Sequence, residues 1–322
     1  MWIALASGIL AFLIVPLVIP FESSGTTDYR QSAGPRAEFA NLAGVDVHLE
    51  QSAYFGECNC QPPVLVLMHG FGASTFSWRE VIGPLSRYGD VIAYDRPGFG
   101  FTQRPTSWNG VDPYGFEGNF LILDELIAKF AKDREVFLVG HSAGSQLAAE
   151  YARVNPGKVS GLILVDPAIL TTGGGPAGLD WIYDIPQIQK LGPLLVRGIA
   201  SSGLDILNQS FVDKSKITAD VIAGYTAPLK VKDWELGFWN FVTAPRENQL
   251  RENLDSLDLP ILLITGDQDT IVPTSDTVEL QDLLPNSSLS IIENAGHLPH
   301  EEQPEAFMNA IAKSAKGIGL TN

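Results

Sequence analysis

Val136-Phe137-Leu138-Val139-Gly140-His141-Ser142-Ala143-Gly144 is the stretch on which the reading of the fold turns. Its four leading apolar residues read as a short strand buried on both faces. Residues 143–154, which follow, have helical spacing. Between strand and helix stands a serine with a glycine two residues away on either side. A serine thrust out of so sharp a turn needs small neighbours, because the backbone crosses closely there. The Gly-x-Ser-x-Gly pattern alone is common by chance. Its place after a buried strand and before a helix makes it specific.

The same alternation extends outward. Residues 45–49 alternate like a half-buried strand. Residues 64–68 form a continuous apolar run bounded by Pro63 and His69-Gly70. Further strands are expected at 91–94, 162–165, 261–264 and 289–292. Helices are expected at 77–88, 116–131, 276–284 and 304–313. Strands alternating with helices imply an α/β fold, a mostly parallel sheet with helices on both faces.

The alternation fails over residues 167–257. This insertion opens on Thr171-Thr172-Gly173-Gly174-Gly175-Pro176, a hinge-like stretch, and carries Trp181, Trp234, Phe238 and Trp239. It reads as a helical lid over the C-terminal edge of the sheet, its aromatic residues packing the lid itself. The triple glycine lacks the Gly-Lys-Ser/Thr ending of a phosphate loop, and no internal repeat is visible. The expected organisation is therefore an N-terminal hydrophobic segment (1–21), a polar linker (22–40), a core (41–166 and 258–322) and the lid (167–257).

Residues 2–21 carry no charged side chain. About 20 such residues suffice to cross a hydrocarbon core of roughly 30 Å as a helix. A cleaved secretory signal would show a basic leader and a small-residue cleavage site, and neither is present. Pro16 and Pro20 weaken the helix at its end. A single N-terminal membrane segment is the expectation. Secretion after cleavage and a packed soluble segment are the alternatives. Arg30 and Arg36 after the run favour a cytoplasmic catalytic domain only weakly, and orientation stays open.

Composition narrows the partners. The 322 residues hold 21 Lys and Arg against 37 Asp and Glu, a net charge of −16. Such a chain repels phosphate backbones, so no nucleic-acid partner is expected. Cys58 and Cys60 are too close for an unstrained bridge and have no second cysteine pair with which to hold zinc. They read as incidental thiols.

A serine hydroxyl needs an adjacent base to become a nucleophile. His297, in Asn294-Ala295-Gly296-His297-Leu298-Pro299-His300, follows the last strand, in a loop that returns to the edge where Ser142 emerges. His300 is the rival base, but its neighbours Glu301 and Glu302 point to a solvated helix start. For the orienting carboxylate, Gly266-Asp267-Gln268-Asp269 follows the strand at 261–264. Either aspartate could serve: Asp269 lies deeper in the loop, while Asp267 is better placed to cap the turn. Asp166, at the end of the preceding strand, is a third candidate. An oxyanion hole needs backbone N–H groups aimed at developing charge. Ala143 supplies one. Phe71, in His69-Gly70-Phe71-Gly72, supplies the other, with His69 bracing the loop.

These segments, with Asp95-Arg96-Pro97-Gly98-Phe99-Gly100, resemble the α/β-hydrolase superfamily over about residues 40–315. The likeness is to the serine-nucleophile branch that holds carboxylesterases, carbon–carbon bond hydrolases and haloperoxidase-like enzymes. It implies the α/β-hydrolase fold, with a helical lid after the sixth strand of that fold. The family's chain order is serine, acid, histidine, and its acid is the third residue after the loop glycine, which favours Asp269. Asp95 falls on a structural turn of the family. Relatives with aspartate at the elbow run other chemistries, which Ser142 disfavours. Ser145 departs from the second glycine many relatives carry.

The resemblance implies a serine hydrolase that cleaves a carboxylic ester through Ser142, His297 and Asp269, with no cofactor and no metal. The apolar lid and the N-terminal segment point to a lipophilic small-molecule substrate, such as a monoacylglycerol-like ester. A carbon–carbon bond hydrolase using the same three residues is the alternative within enzymes. A non-catalytic ligand-binding homologue is the alternative outside them.

Overall fold

The structure, a computed structural model, describes residues 13–18, 20–56, 61–171, 180–245 and 249–320. Eight strands form one sheet in the order β1-β2-β4-β3-β5-β6-β7-β8. They are β1 (Glu38–Leu42), β2 (Val45–Ser52), β3 (Val64–Met68), β4 (Asp90–Tyr94), β5 (Val136–His141), β6 (Gly161–Val165), β7 (Ile261–Gly266) and β8 (Ser287–Ile292). From β4 to β8 every pairing is parallel, and β1 and β2 are antiparallel additions at one edge.

The unbroken apolar runs follow from cover on both faces. In β3, Val64, Val66 and Met68 join one core, with Ile122 and Leu126 of α1 (Phe116–Leu126) and Leu147 and Tyr151 of α2 (Ala143–Val154). Leu65 and Leu67 join the other, with Trp78, Leu85 and Phe307. All five residues of β3 and of β6 are buried, as a strand with no solvent face must be. β8, at the sheet's other edge, buries only Ile292 fully.

Residues 22–40 hold more structure than a linker. Asp28 caps a short helix, Tyr29–Ala33, and the Ser24 N–H and hydroxyl both donate to Glu235 Oε1, in the insertion between β6 and β7. β1 begins at Glu38 and turns into β2 through Ala43 and Gly44, both at positive φ. That is the two-residue hairpin whose twist matches the strands.

Between β6 and β7 the described residues build four main helices: α3 (Pro186–Val196), α4 (Ile199–Ser210), α5 (Ala219–Thr226) and α6 (Trp234–Thr243). Trp234, Phe238 and Trp239 are buried with Phe99 and Tyr114 of the core, whereas Trp181 is exposed. After β7 come α7 (Thr274–Leu283) and, after β8, α8 (Pro304–Ser314).

Residues 13–18 are helical, with Leu13, Ile14, Val15, Leu17 and Val18 exposed. No helix among the described residues is long and apolar enough to cross a membrane. Residues 1–12 and 19 of the N-terminal segment, Cys58 and Cys60, and the hinge-like glycines 173–175 lie outside the described residues.

Candidate active site

β5 delivers Ser142 at the turn into α2. The serine sits at φ 52°, ψ −118°, a strained conformation for a residue with a Cβ. The turn holds it there: its N–H donates to Val165 O at 2.8 Å, and its C=O accepts from Ser145 N at 3.0 Å. The flanking glycines are required by contact. A Cβ at Gly140 would lie 2.5 Å from Ser145 Cα, and one at Gly144 would lie 2.2 Å from Met68 O. Ser145, where relatives often have glycine, is fully buried, and its hydroxyl donates to Gly140 O at 2.7 Å. It is a brace across the turn.

His297 reaches the same place from the loop after β8. Its Nδ1 lies 2.7 Å from Asp269 Oδ2. An ionised carboxylate can only accept, so the proton sits on Nδ1, and Nε2 is left as an acceptor. Asp269 is itself fixed: Oδ1 accepts from Ile271 N at 2.8 Å and Val272 N at 3.1 Å. Asp267 is exposed, and its Oδ1 accepts from Ala295 N, so it caps the turn. Ser142 and His297 line one cavity of about 420 Å³, together with Leu204, Leu207, Phe238 and Leu298. A second cavity of similar size meets the first at Phe71 and Ser142 and is lined by Tyr114, Asn119, Gln146 and Thr171.

The loop after β3 places Phe71 in the lining of both cavities. Its ring is partly exposed and packs edge-on against Phe238 of α6 at 5.0 Å. Among the described residues, neither the Phe71 N–H nor the Ala143 N–H meets an acceptor. Ala143 opens α2, where the first N–H groups are left without helical partners. His69 braces the loop: Nδ1–H donates to Gly70 O at 2.7 Å, and Nε2 accepts from Arg96 N at 3.0 Å. Burial and the Arg96 charge push its pKa down to about 3. Asp95 accepts from Thr75 N, Phe101 N and His48 Nδ1. Burial alone would raise its pKa, but His48 and these donors hold it at about 2.

The expectation of a solvated helix start at residues 300–302 is corrected. His300, Glu301 and Glu302 are all buried. His300 lies against Trp78, ring centroids 4.6 Å apart, and burial, with the nearby His297, pushes its pKa down to about 3. Glu301 pairs with Arg79 and accepts from the Tyr225 hydroxyl of α5. Glu302 accepts from Gly296 N at 2.8 Å and from Asp213 N of the lid at 2.6 Å. The isolated Glu-Glu pair looked like solvated surface because its partners, Arg79, Tyr225 and Asp213, are distant in sequence.

His141 was also missed, although it stands inside the elbow motif. Its Nε2 lies 2.8 Å from His297 O, and its ring lies 4.8 Å from that of His297. Burial drives its pKa well below the usual range, so it is a neutral donor that fixes the His297 backbone. His141, Asp166 and His297 offer ligand atoms within 4.8 Å of one another.

A serine at a strained elbow beside a histidine–carboxylate pair, at the C-terminal edge of a mostly parallel sheet, defines the class of fold and site. The alpha/beta hydrolase family model matches residues 65–310, and the chain belongs to that family. The chain is 31% identical over 277 residues to the uncharacterized hydrolase YugF of Bacillus subtilis, covering 85% of this chain and 95% of that one. It is 24% identical to the monoacylglycerol lipase ABHD6 of Mus musculus, over 81% of this chain and 77% of that one. Among solved structures it is similar to a bacterial membrane phospholipase A: TM-score 0.65, 25% identity, 99% of this chain and 97% of that one.

Proposed function

We propose that this hydrolase-family protein is a serine hydrolase that cleaves carboxylic esters with an apolar acyl group. The observation that carries the reading is the His297–Asp269 hydrogen bond in the loops that meet the Ser142 elbow. His297 Nε2 takes the Ser142 proton as Oγ attacks the ester carbonyl. Asp269 orients the imidazole and stabilises it when charged. The Phe71 and Ala143 N–H groups receive the oxyanion. His297 then protonates the leaving alcohol and, in the second half-reaction, activates the water that releases the acid. The atoms balance with water as the only co-substrate.

The apolar acyl group is supported by the lining of the cavity that Ser142 and His297 share, with Leu204, Leu207, Phe238 and Leu298. The names borne by two of its relatives, a monoacylglycerol lipase and a membrane phospholipase, agree with a lipid ester. Membrane association through residues 2–21 belongs to the same reading, supported by the exposed apolar side chains at 13–18. Deleting residues 1–21 should release the protein from the membrane fraction. Unchanged fractionation would remove that part.

The test is a p-nitrophenyl ester series of increasing chain length on purified protein, with Ser142→Ala as control. Wild type should turn over the esters and react with a fluorophosphonate. Ser142→Ala should lose about 10⁶-fold in kcat and all labelling. Full activity in Ser142→Ala would end the serine mechanism. Turnover of a vinylogous diketone in place of every ester would replace ester cleavage with carbon–carbon cleavage.

A further inference from the structure

The chain just after the uncharged run is bound to the wall of the Ser142 cavity. Residues 23–27 lie against the turn that opens α6. The Thr26 and Thr27 N–H groups both donate to Lys230 O at 3.0 Å, and the Lys232 N–H donates to Thr27 O at 2.8 Å. Thr27 and Val231 pair as a parallel bridge. Gly25 is buried where a Cβ would lie 2.0 Å from Val231 O, so only glycine lets the two backbones pass so closely. The segment is a strap across the insertion between β6 and β7.

Glu235 holds the strap, and its side chain is fully buried. Oε2 accepts from Ser23 Oγ at 2.8 Å. Oε1 accepts from Ser24 N at 2.8 Å, Ser24 Oγ at 2.6 Å and Arg197 Nε at 3.0 Å. Burial alone would raise the Glu235 pKa, but the Ser24 and Ser23 donors hold it below the usual range. The carboxylate is ionised and only accepts, so each serine hydroxyl points its proton at Glu235 and turns a lone pair to α6. Ser23 Oγ accepts from Asp233 N at 2.8 Å, and Ser24 Oγ accepts from Trp234 Nε1 at 3.0 Å. Asp233 stands at φ 61°, a left-handed conformation rare outside glycine, and its own side chain makes no cap to α6. Ser23 supplies the support that this turn lacks. The same helix faces the substrate. Trp234 and Phe238 line the cavity with Ser142, and Phe238 packs on the Phe71 ring at 5.0 Å.

Building on the reading of that cavity as the acyl site, we propose that Glu235 is a positioning residue: it orients Ser23 and Ser24 so that the strap fixes Trp234 and Phe238 as a wall of the site. Residues 23–27 are then part of the acyl-binding architecture. Charge is essential to the role. A glutamine at 235 accepts through one oxygen only and sets its own N–H groups against the serine and Arg197 donors. Losing either serine hydroxyl leaves Trp234 Nε1 or Asp233 N without its acceptor.

Two measurements on the full chain decide it. The first is hydrolysis of acetate and octanoate esters by Glu235→Gln, by the pair Ser23→Ala with Ser24→Ala, and by all three together. Glu235→Gln and the serine pair should each raise the octanoate KM by about 3–10-fold, with the acetate KM and both kcat values within about twofold of wild type. The triple variant should be worse than its weaker parent by no more than about twofold, because all three side chains act through one network. Equal losses on both esters, or an unchanged octanoate KM, would overturn the positioning role. A triple variant that loses the product of its parents' losses would overturn the shared network. The second measurement is amide hydrogen exchange. Residues 234–243 should exchange at least about tenfold faster in the serine-pair variant, with β5 unchanged. Unchanged protection of α6 would overturn the strap. Ser23 and Ser24 are partly and fully exposed, so this variant keeps its fold even if Glu235→Gln does not. Exchange needs no turnover. It therefore tests the strap even if Ser142→Ala keeps full activity and the esterase reading falls.

Discussion

The elbow and the helical insertion between β6 and β7 hold the same cavity by different means. Around Ser142 the position is set largely by backbone: the serine N–H bonds to Val165 O and Gly144 passes against Met68 O, with the Ser145 hydroxyl as a brace to Gly140 O. A mostly parallel sheet buried on both faces leaves such a turn no room to relax. The insertion is held largely by side chains. Glu302 ties Asp213 to the His297 loop, and Glu301 takes the Tyr225 hydroxyl of α5. Backbone bonds also join the two regions: Ala168 N–H donates to Ser142 O at 3.3 Å, and His297 N–H donates to Ser210 O at 2.8 Å. The contrast separates two tasks. Chemistry needs atoms fixed within a fraction of an ångström, while entry of a substrate needs a cover whose ties are few and local.

The comparison is broken most severely at Gly144. Gly144→Ala places a methyl 2.2 Å from Met68 O, a backbone atom in a central strand. Overpacking of this kind costs about 1–3 kcal/mol or more. Denaturant unfolding should show that loss, and kcat should collapse with it, because Ser142 is displaced. Wild-type stability would mean the elbow is softer than the contact implies. Next is the latch. Glu302→Gln leaves one of two N–H groups, the buried one of Gly296 or the part-buried one of Asp213, facing an amide N–H. The cost is about 1–3 kcal/mol. Because Gly296 precedes His297, kcat should fall while short-ester KM stays near its wild-type value. A change in KM alone would place the latch in the cover and not in the positioning of the base.

The two regions also differed in how far the sequence disclosed them. The elbow was legible because its constraints are local: a buried strand, a helix and two glycines stand within a dozen residues. β1 was not. Its turn is Ala43-Gly44, without the Asn-Gly or Asp-Gly that signals a hairpin, and the Ala43 N–H is tied down by Glu125, 82 residues away. Residues 22–40 read as polar linker because partners of their first half, Glu235 and Val231, lie in the distant insertion between β6 and β7. Glu301 and Glu302 misled for the same reason. A charged pair at a helix start is solvated in most settings, and only the fold reveals Arg79 and Tyr225 beside it. His141 was overlooked because the elbow pattern leaves that position unspecified, whereas its role is to donate to His297 O, 156 residues away.

The lid tie at Glu301 gives a smaller, pH-dependent effect. Burial raises its pKa to about 7 in the folded protein despite the Arg79 guanidinium beside it. An unfolded glutamate titrates near about 4.3. The folded state then binds more protons than the unfolded state between those values, so stability falls as pH rises through that window and levels off above it. Wild-type Tm should drop by roughly 2–4 °C more than that of Glu301→Gln from pH 4.5 to 7.5. Parallel curves would mean that Glu301 ionises on the protein as it does in water.

The smallest effect expected is the sharpest probe of the division between chemistry and cover. Leu204, on α4, lines the cavity and is partly exposed, so shortening it removes little core packing. If the lid only selects the acyl chain, Leu204→Ser should leave acetate ester hydrolysis within about twofold of wild type. It should lower kcat/KM for an octanoate ester by roughly 5–30-fold, since losing contact with one or two methylenes is worth about 1–2 kcal/mol. Equal losses for both esters would mean that α4 acts on the reacting centre. The route for that is already present, because α4 ends at Ser210, whose carbonyl accepts the His297 N–H. Chain-length dependence would therefore assign α4 to substrate selection, and uniform loss would assign it to support of the base.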